Sequence, residues 1–403
     1  MTSTDVLVLG AGVVGVATAE ALSRRGLSVT IVDRAAGAGE GASFANGGQL
    51  SYSYTDALSS PSLLKRLPGI LAAVDPAFRV AVRFDPDYLR WCLAFFRNGS
   101  AGRFAANSMA GVTLALRSRA LMEELLARHP IAFDHAVPGK LLLHEDGVAF
   151  RAAALHAERK RAAGIEVHAL DADQAVEVEP ALAGIQERLV GAIHAPGDAV
   201  GDPHLFCAGL IERLRSRGVS TRFGAEVVAI DHGPEPALRL ASGERLAARQ
   251  LVVAAGPQAA GLLRTIGWRV GIVPVRGHSM TLPPGAAAPQ VSITDTARKL
   301  VFCRLGDRIR IAGLADVGFT GAVVDPVRLR AMMAAARDSL PQAADYTADG
   351  DGWAGLRPVT PDSLPIVERR GAVTINVGHG GLGWTYALAT ASQAATLVLG
   401  EQN

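Results

Sequence analysis

Two spacings of apolar residues alternate along the 403 residues of this chain. Val6–Leu9 is a short unbroken apolar run, the pattern of a parallel strand buried on both faces. After Gly10-Ala11-Gly12-Val13-Val14-Gly15 the spacing becomes helical, with Val14, Ala17, Ala21 and Leu22 on one side. Gly26 stands where that helix would be capped. Val29–Val32 is a second apolar run, ending at Asp33. Strand, glycine turn, helix and strand together make a βαβ unit.

Further along, Gly41–Tyr54 is rich in Gly, Ser and Asn, carries no charge and reads as a loop. Pro61–Arg97 reads as helical and amphipathic, with helices continuing to about Ala127. A strand is expected at Lys140–His144, a helix at Val148–Ala163 ended by Gly164, and a short helix at Asp173–Glu179. Asp202-Pro203 opens another helix, Asp as the cap and Pro at the first helical position, and Asp325-Pro326 repeats the device. Strands are expected at Val227–Ile230 and Leu251–Ala254, with a turn closing at Gly256. Val270–Leu282 reads as antiparallel sheet, and Lys299–Arg304 with Arg308–Gly313 as a hairpin. Val373–Val377 is a strand before a Gly-rich turn and the helix Trp384–Leu399. Gly371–Gly400 has no Asp, Glu, Lys or Arg. Its helical part falls short of the ~20 apolar residues that span a bilayer, so an Ala-rich core helix is expected.

This order predicts an α/β protein in which a Rossmann-like dinucleotide-binding domain is interleaved with an α+β domain containing an antiparallel sheet. The first domain takes residues 1–60, 196–265 and 350–403; the second takes 61–195 and 266–349.

Composition narrows the function. Hydrophobic residues make up 49% and charged residues 19%, which excludes a disordered chain. A net charge of +2 without a long like-charged run gives no electrostatic footprint for nucleic acid. Cys92, Cys207 and Cys303 lie too far apart for a disulfide framework or zinc spacing. They fit a reducing compartment. The polar first residues do not read as a signal peptide, and a cytoplasmic location is expected.

The chemistry begins at the glycine turn. Gly10 allows the tight turn, Gly12 lets backbone approach a pyrophosphate, and Gly15 lets helix and strand pack closely. The amides of Val13 and Val14 then open a helix whose positive end faces phosphates. Asp33, 23 residues after Gly10, is placed to accept from a ribose hydroxyl, with Arg34 beside it. This motif serves NAD and FAD alike. A second Gly-rich turn, Gly378-His379-Gly380-Gly381-Leu382-Gly383-Trp384, leads into the last helix. Its helix N-terminus can stabilise negative charge, which a reduced flavin carries and a nicotinamide does not. Arg357, in Gly355-Leu356-Arg357-Pro358, is a candidate for bidentate pairing with a carboxylate.

Taken together, several segments resemble the D-amino-acid dehydrogenase small-subunit family of the FAD-dependent D-amino-acid oxidase superfamily. They are Val6–Gly15 with Asp33, Ser43-Phe44-Ala45-Asn46-Gly47-Gly48-Gln49, Gly201-Asp202, Arg276-Gly277, Gly355–Asp362 and Gly378–Thr385. The resemblance runs in order along nearly the whole chain. It implies a two-domain flavoprotein that oxidatively deaminates amino acids; no cysteine suits covalent flavin attachment, so noncovalent FAD is expected. It implies that Arg357 pairs with the substrate carboxylate and that His379 lies close to the isoalloxazine. Ser43, Asn46, Gly47, Gly48 and Gln49 would lie beside the flavin, and the Val227 backbone near the adenine. Gly256 and the stretch Gly380, Gly381, Leu382, Gly383, Trp384 and Thr385 complete the expected cofactor-binding set. One position departs from the pattern: dehydrogenase-type relatives often carry Tyr after the basic-Gly pair, where this chain has His278. His278 therefore joins Arg357 and His379 as a catalytic candidate, against the reading of a satisfied strand histidine.

The expected reaction is hydride transfer from the substrate Cα to the flavin, with D-alanine, D-proline or D-hydroxyproline as candidates and an imino acid as product. The dehydrogenase-like motifs imply a quinone or other acceptor. Two alternatives stand beside this: an oxygen-using oxidase of glycine, sarcosine or another secondary amine, and a noncatalytic flavin electron-transfer subunit. Residues 61–97 hold six basic residues (Lys65, Arg66, Arg79, Arg83, Arg90, Arg97) against Asp75, Asp85 and Asp87, with Leu63, Leu64, Leu67, Ile70 and Leu71 among them. They suit a helix packed on its own core or a peripheral contact with the inner face of the cell membrane; the first is favoured. Nothing in the sequence specifies an oligomeric state.

Overall fold

The computed structural model describes residues 4–71 and 75–401. Among them, six strands form a sheet in the order Ile366–Arg370, Val373–Val377, Gln250–Val253, Val6–Leu9, Val29–Val32, Ser220–Arg222. All neighbours are parallel except the outer pair, 366–370 with 373–377. Val6–Leu9 and Val29–Val32 are buried at every position, as strands covered on both faces must be. On one face, Val6, Val8 and Ile31 pack under the helix Val13–Arg24, the helix Pro203–Arg215 and the Ala-rich helix Gly383–Leu399. On the other, Leu7, Leu9, Leu251 and Val253 pack with Leu263, Trp268 and a small three-stranded sheet built from 227–231, 237–240 and 245–247. The last helix is a buried core helix. Among the described residues no helix is long and apolar enough to cross a membrane.

The larger sheet runs 351–359, 273–282, 308–317, 300–305, 292–295, 140–144, 191–195, 168–170. Its pairings are antiparallel except between 292–295 and 140–144, and where Phe78–Val80 joins residues 315–317. Period-two alternation divides its side chains. Leu141, Leu143, Ile293, Leu300, Phe302, Ile309 and Ile311 form an apolar back face with Met332 and Ala336 of the helix Pro326–Ser339. Register places Lys140, Ser292, Cys303, Arg310, Thr281, Ser279 and Arg357 on the front face.

The caps form as expected. Asp202 accepts from the amides of His204 (2.9 Å) and Leu205 (3.3 Å), and Asp325 from those of Val327 (3.0 Å) and Arg328 (3.2 Å). Two expectations change. Residues 61–97 are not helical throughout: the helices Pro61–Leu71 and Pro86–Asn98 are separated by Phe78–Val80, because Ala315 and Val317 offer it an edge to pair with. Asp351–Val359, grouped by sequence with residues 350–403, hydrogen-bonds along Val273–Leu282 and belongs to the larger sheet.

Candidate functional site

Gly10 has a φ of +110°, a conformation L side chains avoid. A β-carbon there would overlap the Ala254 carbonyl, and one on Gly15 would overlap the carbonyl of Gly10. Gly12 differs: a β-carbon there would meet only the Ser43 hydroxyl, at 3.5 Å. Two glycines thus close the turn, while the backbone between them stays open to an outside group. No acidic residue occupies the first turn of the helix that follows, and its Gly12 cap provides no side-chain acceptor. Ser43 Oγ accepts from the amide of Val13 at 3.1 Å. Asp33 accepts from the amides of Ala11 (2.6 Å) and Ala35 (2.8 Å), one with each oxygen. Its first role in this structure is therefore to fix the turn. The Asp33 carbonyl also takes the amide of Ala225 at 2.9 Å, bringing Val227 to the same edge. Arg34 is exposed and reaches Gln258, 3.0 Å away when the amide is oriented to accept, just beyond Gly256.

From Ser43 the chain crosses the front face of the larger sheet. Ser279 Oγ donates to the Ala45 carbonyl at 2.6 Å. Arg310, buried, donates to the Asn46 carbonyl (3.0 Å), to Thr281 (2.6 Å) and to Asp202 (3.4 Å). Asn46 Oδ1 accepts from the amide of Gly48 at 2.9 Å, closing a tight turn in which Gly48 has a φ of +71°. Gly47 lies so close to Val301 that a β-carbon would be 2.9 Å from its methyl. Gln49 donates to Ser292 (2.6 Å) and Thr294 (3.3 Å) and accepts from Lys140 (3.0 Å). Lys140 also donates to Ser51 at 2.7 Å. Burial pushes its ammonium down to about 8, against the attraction of Asp198. The loop expected beside the flavin is thus pinned to the start of the first helix at Ser43 and to the larger sheet at Ala45, Asn46 and Gln49.

At the other end of the front face lies Arg357. Its guanidinium rests on Gly277, directly across from Gly355, and Gly381 of the second Gly-rich turn lies 3.6 Å from its Cδ when given a β-carbon. Arg357 Nη1 donates to the carbonyl of Leu314 at 2.9 Å. Leu314 has a φ of +61° and sits in a bulge, since Arg276 pairs with Asp316 but His278 with Gly313. Burial pushes the Arg357 guanidinium below its ordinary value, opposed by the field of Asp316. Trp353 folds over Gly355 so closely that a β-carbon there would overlap the indole.

His379 is buried beside this group, in a bridge to Val359. Its Nε2 lies 2.9 Å from Thr390 Oγ1, whose hydroxyl reaches the carbonyls of Ala387 (3.2 Å) and Tyr386 (3.3 Å). The arrangement that satisfies all of them has Nε2 carrying the proton. Burial pushes this imidazole down to about 3, so it is neutral near pH 7.

Not every candidate converges. His278 is on the back face, paired across from Ala354, because its neighbours Gly277 and Ser279 take the front. Its Nε2 accepts from the Asp325 amide at 3.5 Å, and its surroundings are Asp316, Arg276 and Arg328. The Trp384 side chain also points away, donating to the Gly201 carbonyl at 3.1 Å and packing on Phe133 and Phe206. Thr385 Oγ1 accepts from the Ser51 amide at 3.1 Å, and Leu382 packs on the core beneath. Only the backbone of 380–385 remains at the turn. Sequence reasoning missed Arg310, Lys140, Trp353 and Leu314. Lys140 carried a signal, a charge opening the apolar run Lys140-Leu141-Leu142-Leu143. Leu314 carried none, because a leucine at positive φ is set by its neighbours.

A family model described as FAD dependent oxidoreductase (DAO) matches residues 5–397. D-amino acid dehydrogenase 2 of Ralstonia nicotianae is 40% identical over 409 residues, covering 98% of this chain and 96% of its own. D-amino acid dehydrogenase of Paramagnetospirillum magneticum is 38% identical over 401 residues, covering 98% and 95%. Among solved structures, glycine oxidase from Geobacillus kaustophilus superposes with a TM-score of 0.79 at 25% identity, covering 99% of this chain and 95% of that one. With an open glycine turn at one end, a guanidinium at the other and a full-length family match between them, this chain belongs to the DAO family of FAD-dependent oxidoreductases.

Proposed function

We propose that this protein is an FAD-dependent D-amino-acid dehydrogenase that binds its substrate by the carboxylate at Arg357. The observation that carries the reading is the state of Arg357. It is half-buried with one hydrogen bond, to a carbonyl, and among the described residues no carboxylate lies within ion-pair distance. A guanidinium has five donors and is strongest in bidentate pairs with carboxylates. A half-buried guanidinium seated on a glycine with a single internal partner is matched to an anion brought in from outside.

The residues fit FAD. Space opens at Gly12 where a side chain would fill it, and two helix N-termini, at Val13 and Gly383, lack side-chain caps. FAD, when bound, supplies the hydride acceptor. Ser43, Asn46, Gly47, Gly48 and Gln49 would line it through a loop already held in place, and Gly380–Gly383 would approach it with backbone. Arg357 holds the carboxylate and thereby fixes the direction of the Cα–H bond. The contacts of the Arg357 side chain are Gly277, the Leu314 carbonyl and, along Cδ and Nε, Gly381. None of these is a base, and His379 is committed to Thr390, so the substrate amine enters neutral.

The acceptor we infer is a membrane quinone. Leu63, Leu64 and Leu67 are half-buried and Ile70 is buried, which suits packing on the protein's own core; the Leu71 side chain lies outside the described residues. Exposed apolar surface is concentrated instead on Val82, Phe84, Leu89, Leu93 and Phe96, with Arg83, Arg90 and Arg97 among them. Such a surface suits an anionic bilayer. Failure to pellet with anionic vesicles at low salt removes the membrane contact.

Anaerobic bleaching of the flavin by a panel of D- and L-amino acids tests the main reading. Bleaching by D-amino acids is expected. No bleaching by any of them would leave a noncatalytic flavin subunit, and rapid peroxide formation under air would make it an oxidase.

A further inference from the structure

We propose that the buried cluster Arg276–Asp316–Arg328 is a positioning device for Arg357, acting through the sheet and the Leu314 carbonyl. The inference rests on the reading of Arg357 as the carboxylate site.

The bulge is the link. Between the pairs Arg276–Asp316 and His278–Gly313, Leu314 and Ala315 stand opposite the single residue Gly277. Gly277 is the residue on which the guanidinium rests, and Leu314 is the residue whose carbonyl it donates to. The bulge thus sets both the seat and the one internal anchor of Arg357. Bulges re-aim groups next to active sites, and a leucine at positive φ persists only where its surroundings over-determine it.

Asp316 supplies that over-determination. It is fully buried and accepts from Arg276 Nε (3.1 Å) and Nη2 (2.9 Å) on one oxygen and from Arg328 Nη2 (2.8 Å) on the other. Arg328 comes from the helix Pro326–Ser339 and also donates to the carbonyls of Pro76 and Ala77. The Ala77 carbonyl in turn accepts the amide of Ala315 at 2.8 Å. Three chain segments therefore meet on one carboxylate, immediately beyond the bulge, and a fourth, Pro76–Ala77, is tied to them through Arg328 and Ala315. The arrangement also disposes of a competitor. The field of Asp316 favours the charged form of Arg357. Occupied by two guanidiniums, Asp316 does not draw Arg357 away from an incoming anion, and the cluster keeps a net positive charge behind the site.

The test uses FAD-loaded protein and two readouts: the Kd of propionate, a carboxylate without an amine, from the flavin absorption band, and KM against kcat with D-alanine. Asp316→Asn is expected to raise both the Kd and KM by about 10–100-fold, the range for a small misplacement of a binding group. A smaller fall in kcat and a retained flavin are expected. A purely structural role would lower the loaded fraction and leave the Kd of the loaded fraction unchanged, and that result overturns the proposal. Should Asp316→Asn not load FAD, Arg276→Lys decides: it keeps the charge but loses the two-point grip, and an unchanged propionate Kd overturns the proposal equally. Arg357→Ala separates the two levels. If it leaves the propionate Kd unchanged, the reading of Arg357 fails. If it raises the Kd while Asp316→Asn does not, only the positioning role fails.

Discussion

A β-carbon on Gly277 would lie 2.5 Å from Cζ of Arg357. The guanidinium occupies the volume that any other amino acid at 277 would claim, so the basic-Gly pair and the Gly-Leu-Arg-Pro motif, far apart in sequence, describe one object. Gly277→Ala should displace the guanidinium without removing its charge. We expect KM for D-amino acids to rise about tenfold or more, with FAD content near normal. Steady-state kinetics on the loaded variant checks this; an unchanged KM would mean that the seat has no bearing on substrate.

Arg357→Ala should be more severe. Hydrogen bonds to charged groups contribute about 1.5–3 kcal/mol each, so loss of a bidentate pair should raise KM by roughly 100-fold or more. Arg357→Lys should recover only part of it, since an ammonium cannot reproduce the planar fork. FAD should remain bound in both variants, measured as the flavin released on denaturation.

Gly15→Ala should act on the cofactor. The new methyl would overlap the Gly10 carbonyl, forcing helix and strand apart at the turn. Overpacking of this kind costs about 1–3 kcal/mol. The expected product is a less stable protein purified with little flavin. A fully yellow variant with an unchanged melting point would show that the turn is not packed as described.

Acid should destabilise the fold through its buried histidines. Burial holds His379 down to about 3 in the folded chain, whereas an exposed histidine titrates near 6.5. Between those values the unfolded chain binds a proton that the folded chain does not, so stability rises with pH across the window and is lost as pH falls below about 6.5. Burial likewise pushes His144 down to about 4, adding to the slope. Thermal melts from pH 7 to 4 should show a falling midpoint, and His379→Gln should flatten the dependence. An identical slope in the variant would contradict the assignment of a neutral His379.

Much of the framework was legible because it rests on local rules. The unbroken runs Val6–Leu9 and Val29–Val32, the two Asp-Pro caps and the glycine turn each follow from a few adjacent residues. The Phe78–Val80 strand was not legible, because it exists only where Ala315–Val317 leave an edge free. His278 was misplaced for a related reason. Period two fixes that neighbouring residues face opposite sides, but which side meets the site is decided by the loop Ala45 brings down on Ser279. The bulge at Leu314 is a property of distant segments gathered around Asp316, and a one-dimensional pattern holds no trace of it.

The described chain passes between its two larger sheets four times. Neither half can therefore be excised as one continuous fragment. A truncation before Ile366 would strip the edge hairpin from the nucleotide-side sheet, and a start after Val32 would remove its centre. Cofactor loading should accordingly await synthesis of nearly the whole polypeptide, and this catalyst is to be exchanged between proteins entire rather than in parts.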